Sequence, residues 1–196
     1  MLDKEITVFG KILIKYKIPK QEIKDLNKIY EKAKENLSSY SQGLVGRLKS
    51  ELEFLPLLES THSYKTICEC MEDYMHNLFQ LHLIRKGEKH LKIVHCWIND
   101  MKPGEYQQPH IHNGRKGWST VLFLKVPKFI DDIKDIEKFK DGQLGFMNLD
   151  AVNVDWYAPV VGDFYIFEAG HSHMVMPFKS VNNEIRRSMS FNFIWE

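Results

Sequence analysis

The hydrophobic pattern changes halfway along this 196-residue chain, and the change limits the folds that the chain can adopt. Between residues 21 and 37 apolar side chains recur at steps of three and four, which is the spacing of an amphipathic helix. They are Ile23, Leu26, Ile29, Tyr30, Ala33 and Leu37. A second helix is predicted over residues 64–85 and ends at Gly87; its apolar stripe consists of Ile67, Met71, Tyr74, Met75, Leu78 and Phe79. From Leu91 onwards the apolar residues stand in short runs rich in β-branched and aromatic side chains, which is typical of strands.

Turn signals divide the second half of the chain into about seven or eight predicted strands. The signals are Pro103-Gly104, Asn113-Gly114, Asp141-Gly142 and Gly162-Asp163. Such a series of strands fits a sandwich or barrel. We therefore predict an α+β fold in one domain, 1–196, in which 1–90 is mostly helical support packed on one sheet and 91–196 is the β core. The lysine-rich segment 131–142 is predicted to be a solvated excursion between strands.

Composition excludes several classes of protein. The formal charge of +1 argues against a strongly basic nucleic-acid binder, and the 43% hydrophobic share is that of a soluble globular protein. No apolar run reaches the length of about 18 residues that a membrane span needs, and the N-terminus lacks the pattern of a signal peptide. The cysteines, Cys68, Cys70 and Cys96, are odd in number and irregularly spaced, so we expect reduced thiols in a cytoplasmic protein. Oligomeric state is left open.

The segment Pro109-His110-Ile111-His112 carries the most informative polar pattern. In an extended chain His110 and His112 point to the same face, about 6.5 Å apart along the strand, so their imidazoles can converge on one metal ion. Imidazole suits iron, zinc, copper and nickel alike, so the pair does not select a metal. Two ligands do not hold a catalytic metal, and two surface histidines on an edge strand are the alternative interpretation.

A second histidine pair follows a predicted buried strand near the C-terminus. His171 and His173 also share a face if the chain is extended there, so spacing alone does not say which of them joins His110 and His112. One of the two is expected to be an ordinary hydrogen-bonded residue beside the pocket.

The last predicted strand has one polar face. Alternation places Arg186, Ser188, Ser190 and Asn192 on one side and Arg187, Met189, Phe191 and Phe193 on the other. A polar face inside a barrel indicates a wet or ligand-filled interior. An arginine there needs an anion, and its planar fork matches a carboxylate. The alternative is a surface strand whose Arg186 pairs with an ordinary acidic residue.

Taken together these residues resemble the 2-oxoglutarate and Fe(II)-dependent oxygenase superfamily, in particular its prolyl-hydroxylase-like branch found in phage and marine bacteria. The resemblance runs from about Cys96 to Asn192. It comprises Trp97-Ile98-Asn99, Pro103-Gly104, His110-x-His112, Ser119-Thr120-Val121-Leu122-Phe123, Gly162-Asp163 with Phe167, His173 with Pro177, Arg186-x-Ser188 and Ser190-Phe191-Asn192. The ordered set is more specific than any single piece.

The resemblance implies a double-stranded β-helix, or jelly roll, in which His110, His112 and His173 hold Fe(II). It implies that Arg186 pairs with the distal carboxylate of the co-substrate 2-oxoglutarate and that Ser188 hydrogen-bonds the same group. Asn99, Asn192 and His171 are further pocket candidates, to which the resemblance assigns no definite role. The implied reaction uses O2, forms succinate and CO2, and hydroxylates an unidentified peptidyl or small-molecule substrate, for which a prolyl or another amino-acid side chain is the first candidate. Ascorbate is expected to help in vitro.

One departure from the superfamily concerns the second ligand. The wider superfamily has His-x-Asp or His-x-Glu where this chain has His110-x-His112. Three neutral imidazoles leave Fe(II) with its full double charge, which favours an anionic co-substrate. Two alternative functions therefore stay open: a three-histidine cupin-type metalloenzyme that does not use 2-oxoglutarate, and a non-catalytic jelly-roll binding module.

Overall fold

Two antiparallel sheets face each other in the computed structural model, which describes residues 3–8, 11–40, 46–84, 90–112, 116–130, 140–148 and 153–196. The strands are β1 (Lys4–Val8), β2 (Ile12–Lys17), β3 (Glu51–Glu53), β4 (Leu91–Met101), β5 (Gln107–His110), β6 (Trp118–Lys125), β7 (Leu144–Met147), β8 (Val154–Tyr157), β9 (Asp163–Glu168), β10 (His173–Val175) and β11 (Arg186–Trp195). The helices are α1 (Lys20–Ala33), α2 (Leu55–Leu58) and α3 (His62–Gln80).

The larger sheet has the strand order β1-β2-β9-β6-β11-β4-β3 and the smaller one β5-β10-β7-β8. This arrangement is the predicted jelly roll, with the helices on one face of the larger sheet, and the predicted fold class is confirmed. The expected strands in the second half of the chain are all present, from β4 to β11. The second helix, predicted over residues 64–85, is α3, and it ends earlier than predicted: residues 81–84 are not helical. Gly87 itself, the turn at Asn113-Gly114 and most of the excursion 131–142 lie outside the described residues.

A layer of apolar side chains joins the helices to the outer face of the larger sheet. Strand β11 contributes Met189, Phe191 and Phe193, each fully buried. Burial of side chains of this size contributes about 1.5–3 kcal/mol each, so the helix-covered face is a large share of the core. The remaining members of the layer from the helices are Ile23, Leu26, Tyr30, Leu58, Ile67, Cys70, Met71, Tyr74, Met75 and Leu78.

A second apolar cluster fills the space between the two sheets. Its members include Val121, Phe123, Leu144, Phe146 and Val175. Because side chains alternate across a strand, Leu122 and Leu124, the neighbours of Val121 and Phe123 in β6, point to the helix side instead. The inner face of the larger sheet therefore carries both this cluster and the polar side chains of β11.

The N-terminal ninety residues contain more sheet than the sequence analysis expected. Strand β2 pairs with β9, β1 pairs with β2, and β3 pairs with β4, so N-terminal strands flank the larger sheet on both sides. The run Ile12-Leu13-Ile14-Lys15-Tyr16 buries Leu13 between the sheets and Ile14 under the helices. Residues buried on both faces form a continuous apolar run rather than an alternating one, so β2 lacks the usual signature of a strand.

Helix α1 is tied to the C-terminal strand by one buried arginine. The Arg187 guanidinium donates to both carboxylate oxygens of Asp100, at 2.5 and 2.7 Å, and to Asn27 Oδ1 at 3.0 Å. It also forms an ion pair with Glu31 at 2.7 Å and lies over the Tyr30 ring. A bidentate, charge-assisted pair of this kind contributes stability and also fixes the orientation of the two side chains. It sets the position of β11 immediately beside Arg186.

Candidate active site

A small cavity lies between the two sheets, with a volume of about 290 Å³ counting its open mouth. The wall combines imidazoles, a guanidinium, hydroxyls, amides and aliphatic side chains. The lining residues are Trp97, Asn99, Gln107, His110, His112, Val121, Leu144, His173, Val175, Arg186, Ser188 and Ser190. Such a mixture of apolar walls and a few convergent polar groups is typical of a ligand site.

Three histidines converge at one side of this cavity. His110 ends β5 and lies directly opposite His173 of β10, while His112 follows β5 and donates its backbone N–H to Ala169 O at 2.8 Å. One ring nitrogen of each histidine lies within 4.8 Å of the others, and His112 Nε2 is 3.1 Å from His173 Nε2. The strand pairing therefore brings the two distant sequence segments to one point.

In two of these rings, those of His110 and His173, a backbone carbonyl determines which nitrogen carries the proton. His110 Nδ1 lies 2.7 Å from Gln108 O, and His173 Nδ1 lies 3.0 Å from His171 O. A carbonyl oxygen only accepts, so each Nδ1 donates and each Nε2 keeps its lone pair. Carbonyl partners of this kind orient histidine ligands in metal sites.

Burial keeps the three imidazoles neutral. It lowers the pKa of His110, and together with the neighbouring His110 it lowers the pKa of His112 to about 3. Burial, followed by the proximity of His110 and His112, lowers the pKa of His173 well below its ordinary value. Neutral imidazole is the form that binds a metal, so the donor set fits a divalent transition metal.

His171 takes a different position. Its Nε2 donates to Met147 O at 3.2 Å, its ring packs near Phe146 and Phe167, and it does not line the cavity. Its contribution to the triad is the backbone carbonyl that accepts from His173. The cause is strand register, because His173 and not His171 is paired with His110.

Arg186 stands on another part of the same wall, on the inner face of β11. Its side chain is 1% exposed and lies over the Phe123 ring at 4.6 Å. Two of its nitrogens, Nε and Nη2, have no hydrogen-bond partner in the part of the chain that the structure describes. Burial alone lowers the pKa of its guanidinium, which stays charged at neutral pH. An unpaired buried charge costs several kcal/mol, so the site is built for an anion.

The other predicted pocket residues divide into two groups. Ser188 and Asn99 line the cavity, and they are paired across β11 and β4. Asn192 lies on the same face of β11 and is buried, but it does not line the cavity. The cavity also contains Trp97 and Gln107, to which sequence reasoning assigned no pocket role. Alternation signals Trp97, which is two residues from Asn99 on the same strand face.

Comparison with known families gives one match, and it covers the strands that build the cavity. The family described as "Putative 2OG-Fe(II) oxygenase" matches residues 95–192, which is half of the 196 residues. No curated protein matches the chain. Within the described residues, no helix is both long and apolar enough to cross a bilayer.

Solved structures share the fold along nearly the whole chain. A prolyl-4-hydroxylase from Pseudomonas putida is 17% identical, with a TM-score of 0.62 over 99% of this chain and 93% of the other. A prolyl hydroxylase from Trichoplax adhaerens, in complex with a hypoxia inducible factor peptide fragment, is 13% identical, with a TM-score of 0.62 over 95% and 84%. A viral collagen prolyl hydroxylase from Paramecium Bursaria Chlorella virus-1 is 15% identical, with a TM-score of 0.56 over 92% and 94%.

The family match and the solved structures agree with the resemblance drawn from the sequence, which is confirmed at the level of the family and the fold. The match begins at His95 in β4 and ends at Asn192 in β11, so it contains the histidine triad and Arg186. The chain belongs to this family of 2OG-Fe(II) oxygenases.

Proposed function

We propose that this protein hydroxylates an amino-acid side chain, with Fe(II) bound by His110, His112 and His173 and with 2-oxoglutarate bound by Arg186 and Ser188. The observation that carries the proposal is one cavity with two kinds of open site. It has three neutral imidazoles with ring nitrogens within 4.8 Å of one another, and a fully buried guanidinium with unpartnered nitrogens.

The histidines would act as a facial set of ligands. Hydrogen bonds from the Nδ1 atoms of His110 and His173 to backbone carbonyls hold both Nε2 lone pairs toward the centre. His112 is held by its backbone bond to Ala169 and by burial of its ring. Bound iron would supply the activation of O2 and the oxidation of the co-substrate to succinate and CO2.

Arg186 and Ser188 would bind the distal carboxylate of 2-oxoglutarate. The unpartnered Nε and Nη2 atoms of Arg186 offer two donors to a planar carboxylate. Ser188 is two residues along on the same strand face, so its hydroxyl can donate to the same group. The aliphatic wall, formed by Val121, Leu144 and Val175, limits water in the cavity.

The substrate is proposed to be peptidyl or a small molecule that presents an amino-acid side chain. Prolyl is the first candidate because structurally similar proteins are prolyl hydroxylases, one of them in complex with a peptide fragment. The near-neutral charge of the chain gives no support for a nucleic-acid substrate.

The test is turnover of 2-oxoglutarate to succinate by the purified chain with Fe(II), O2 and ascorbate. We expect His112→Ala to abolish turnover and to weaken metal binding by more than the roughly 10- to 100-fold typical of outer-shell partners. His171→Ala is the matched control, because the backbone carbonyl that accepts from His173 is retained. Metal binding without any binding of 2-oxoglutarate would indicate a cupin-type enzyme instead, and binding of neither would indicate a non-catalytic module.

A further inference from the structure

The inner face of the larger sheet carries a second buried ionisable side chain that the proposed function does not use. Glu51 belongs to the short strand β3, and its neighbour Leu52 packs in the cluster beneath the helices. Alternation therefore turns Glu51 to the opposite face, which is the cavity side. Its pairing partner on β4 is Asn99, which lines the cavity. Directly opposite residues in an antiparallel pair have neighbouring side chains on one face.

No partner compensates the Glu51 carboxyl among the described residues. The residue is 3% exposed, and its Oε2 atom accepts no hydrogen bond from any residue that the structure describes. Burial alone raises the pKa of this carboxyl to about 7, and burial alone lowers the pKa of Arg186. The two groups therefore do not neutralise each other, although both face the interior of the same sheet. A buried, uncompensated carboxyl beside a cleft is a candidate for a functional group.

The co-substrate cannot be the partner of the Glu51 carboxyl. 2-Oxoglutarate is a dianion, so it satisfies Arg186 and is repelled by Glu51. Next to Glu51, Asn99 Oδ1 is also buried and has no hydrogen-bond partner within the described ranges. Two unsatisfied acceptors side by side require a group that is rich in donors.

An aromatic wall adjoins these acceptors. The Tyr40 ring stacks on the Trp97 ring, with centroids 4.9 Å apart and planes 6° from parallel. Trp97 lines the cavity, and its ring lies 5.7 Å from that of His112, which belongs to the triad. Aromatic faces together with a carboxylate recognise ammonium and guanidinium groups, because the ring quadrupole and the negative charge act in the same direction.

We propose that Glu51, Asn99 and the stacked Trp97 and Tyr40 rings form a subsite for a cationic group of the substrate, a protonated amine or a guanidinium. This inference rests on the proposed function and narrows its substrate class to molecules that carry a basic group close to the reacting carbon, which for a prolyl peptide means a neighbouring basic residue. Arg186 then holds the anionic co-substrate, and Glu51 holds the cationic part of the substrate.

The test compares binding of two probes to the full chain under nitrogen, by calorimetry. N-acetyl-lysine methylamide carries the cation, and N-acetyl-norleucine methylamide is its neutral counterpart. We expect the lysine probe to bind the wild type at least tenfold more tightly, and Glu51→Gln to remove this preference. Glu59→Gln is the control, because Glu59 follows α2 on the helix side of the larger sheet and is exposed, where solvent screens its charge.

A second measurement uses only the wild-type chain, so its outcome does not depend on whether a variant folds. In the wild type, the lysine probe is expected to shift the NMR signals of the Asn99 side-chain amide and the Trp97 indole, and to leave those of Trp156 in place. Equal binding of the two probes, no binding of either, or preference retained in Glu51→Gln would overturn the subsite. Binding of 2-oxoglutarate is measured on the same samples: if it persists while the preference is absent, only the subsite fails, and if it is absent, the proposed function fails.

Discussion

Two consecutive arginines on β11 offer a sharp test, because they are predicted to respond in opposite ways to the same substitution. Among the described residues Arg186 is buried without an anionic partner, whereas Arg187 is bound by Asp100 and Glu31. Burial lowers the pKa of Arg186 from 12.5 to about 9. At about 1.4 kcal/mol per pKa unit, this corresponds to about 5 kcal/mol against the charged form in the ligand-free protein.

For Arg186→Leu we expect a ligand-free protein at least as stable as the wild type, because the uncompensated charge is gone. Affinity for 2-oxoglutarate is expected to fall about a hundredfold or more, since two charge-assisted hydrogen bonds of about 1.5 kcal/mol each are lost. For Arg187→Leu we expect a loss of about 3 kcal/mol in the free energy of unfolding, because Asp100 is left without its bidentate partner.

Urea unfolding measures the two stabilities, and calorimetry under nitrogen measures binding of 2-oxoglutarate. If Arg186→Leu binds the co-substrate within threefold of the wild type, the guanidinium is not the anion site. If it is destabilised as much as Arg187→Leu, then Arg186 is a structural residue whose buried charge stabilises the ligand-free fold.

Two further substitutions test other parts of the site. Glu51→Gln is expected to stabilise the ligand-free chain by about 3 kcal/mol at pH 8 and by less than about 1 kcal/mol at pH 5, because a carboxyl with its pKa raised from 4.5 to about 7 destabilises the fold as pH rises through that range. A stability gain of equal size at both pH values, measured by urea unfolding, would contradict the burial of an ionisable carboxyl. Gly46→Ala is expected to lower the free energy of unfolding by at least about 1–3 kcal/mol, since Gly46 has φ +95° and an added Cβ would lie 2.4 Å from Tyr106 O. An unchanged thermal midpoint would show that the backbone at Gly46 does not pack on the strand that carries His110.

The sequence predicted the inward face of β11 correctly because both faces of that strand are buried and one is apolar while the other is polar. The apolar residues Met189 and Phe191 face the helices, and the polar residues Arg186 and Ser188 face the cavity. Strict alternation is readable wherever the two faces differ in polarity. It is not readable in β2, where both faces are apolar.

The family resemblance singled out His173, but strand alternation alone does not separate it from His171. Both have the same parity along the chain, and the register between β10 and β5 decides that His173 stands opposite His110. Register is a property of the pair of strands rather than of either one. Glu51 was missed for a related reason: a glutamate is almost always exposed, and its burial depends on how β3 pairs with β4.

The placement of β2 and β3 has a consequence for how the chain can be shortened. The matched region 95–192 begins inside β4, but β2 covers the outer hydrogen bonds of β9, and β3 covers those of β4. Removing the first ninety residues would leave two open strand edges and strip the helices from a wide apolar surface, which is the combination that drives aggregation. We therefore expect the catalytic half to require its N-terminal segment during expression, and activity screens should use the entire polypeptide.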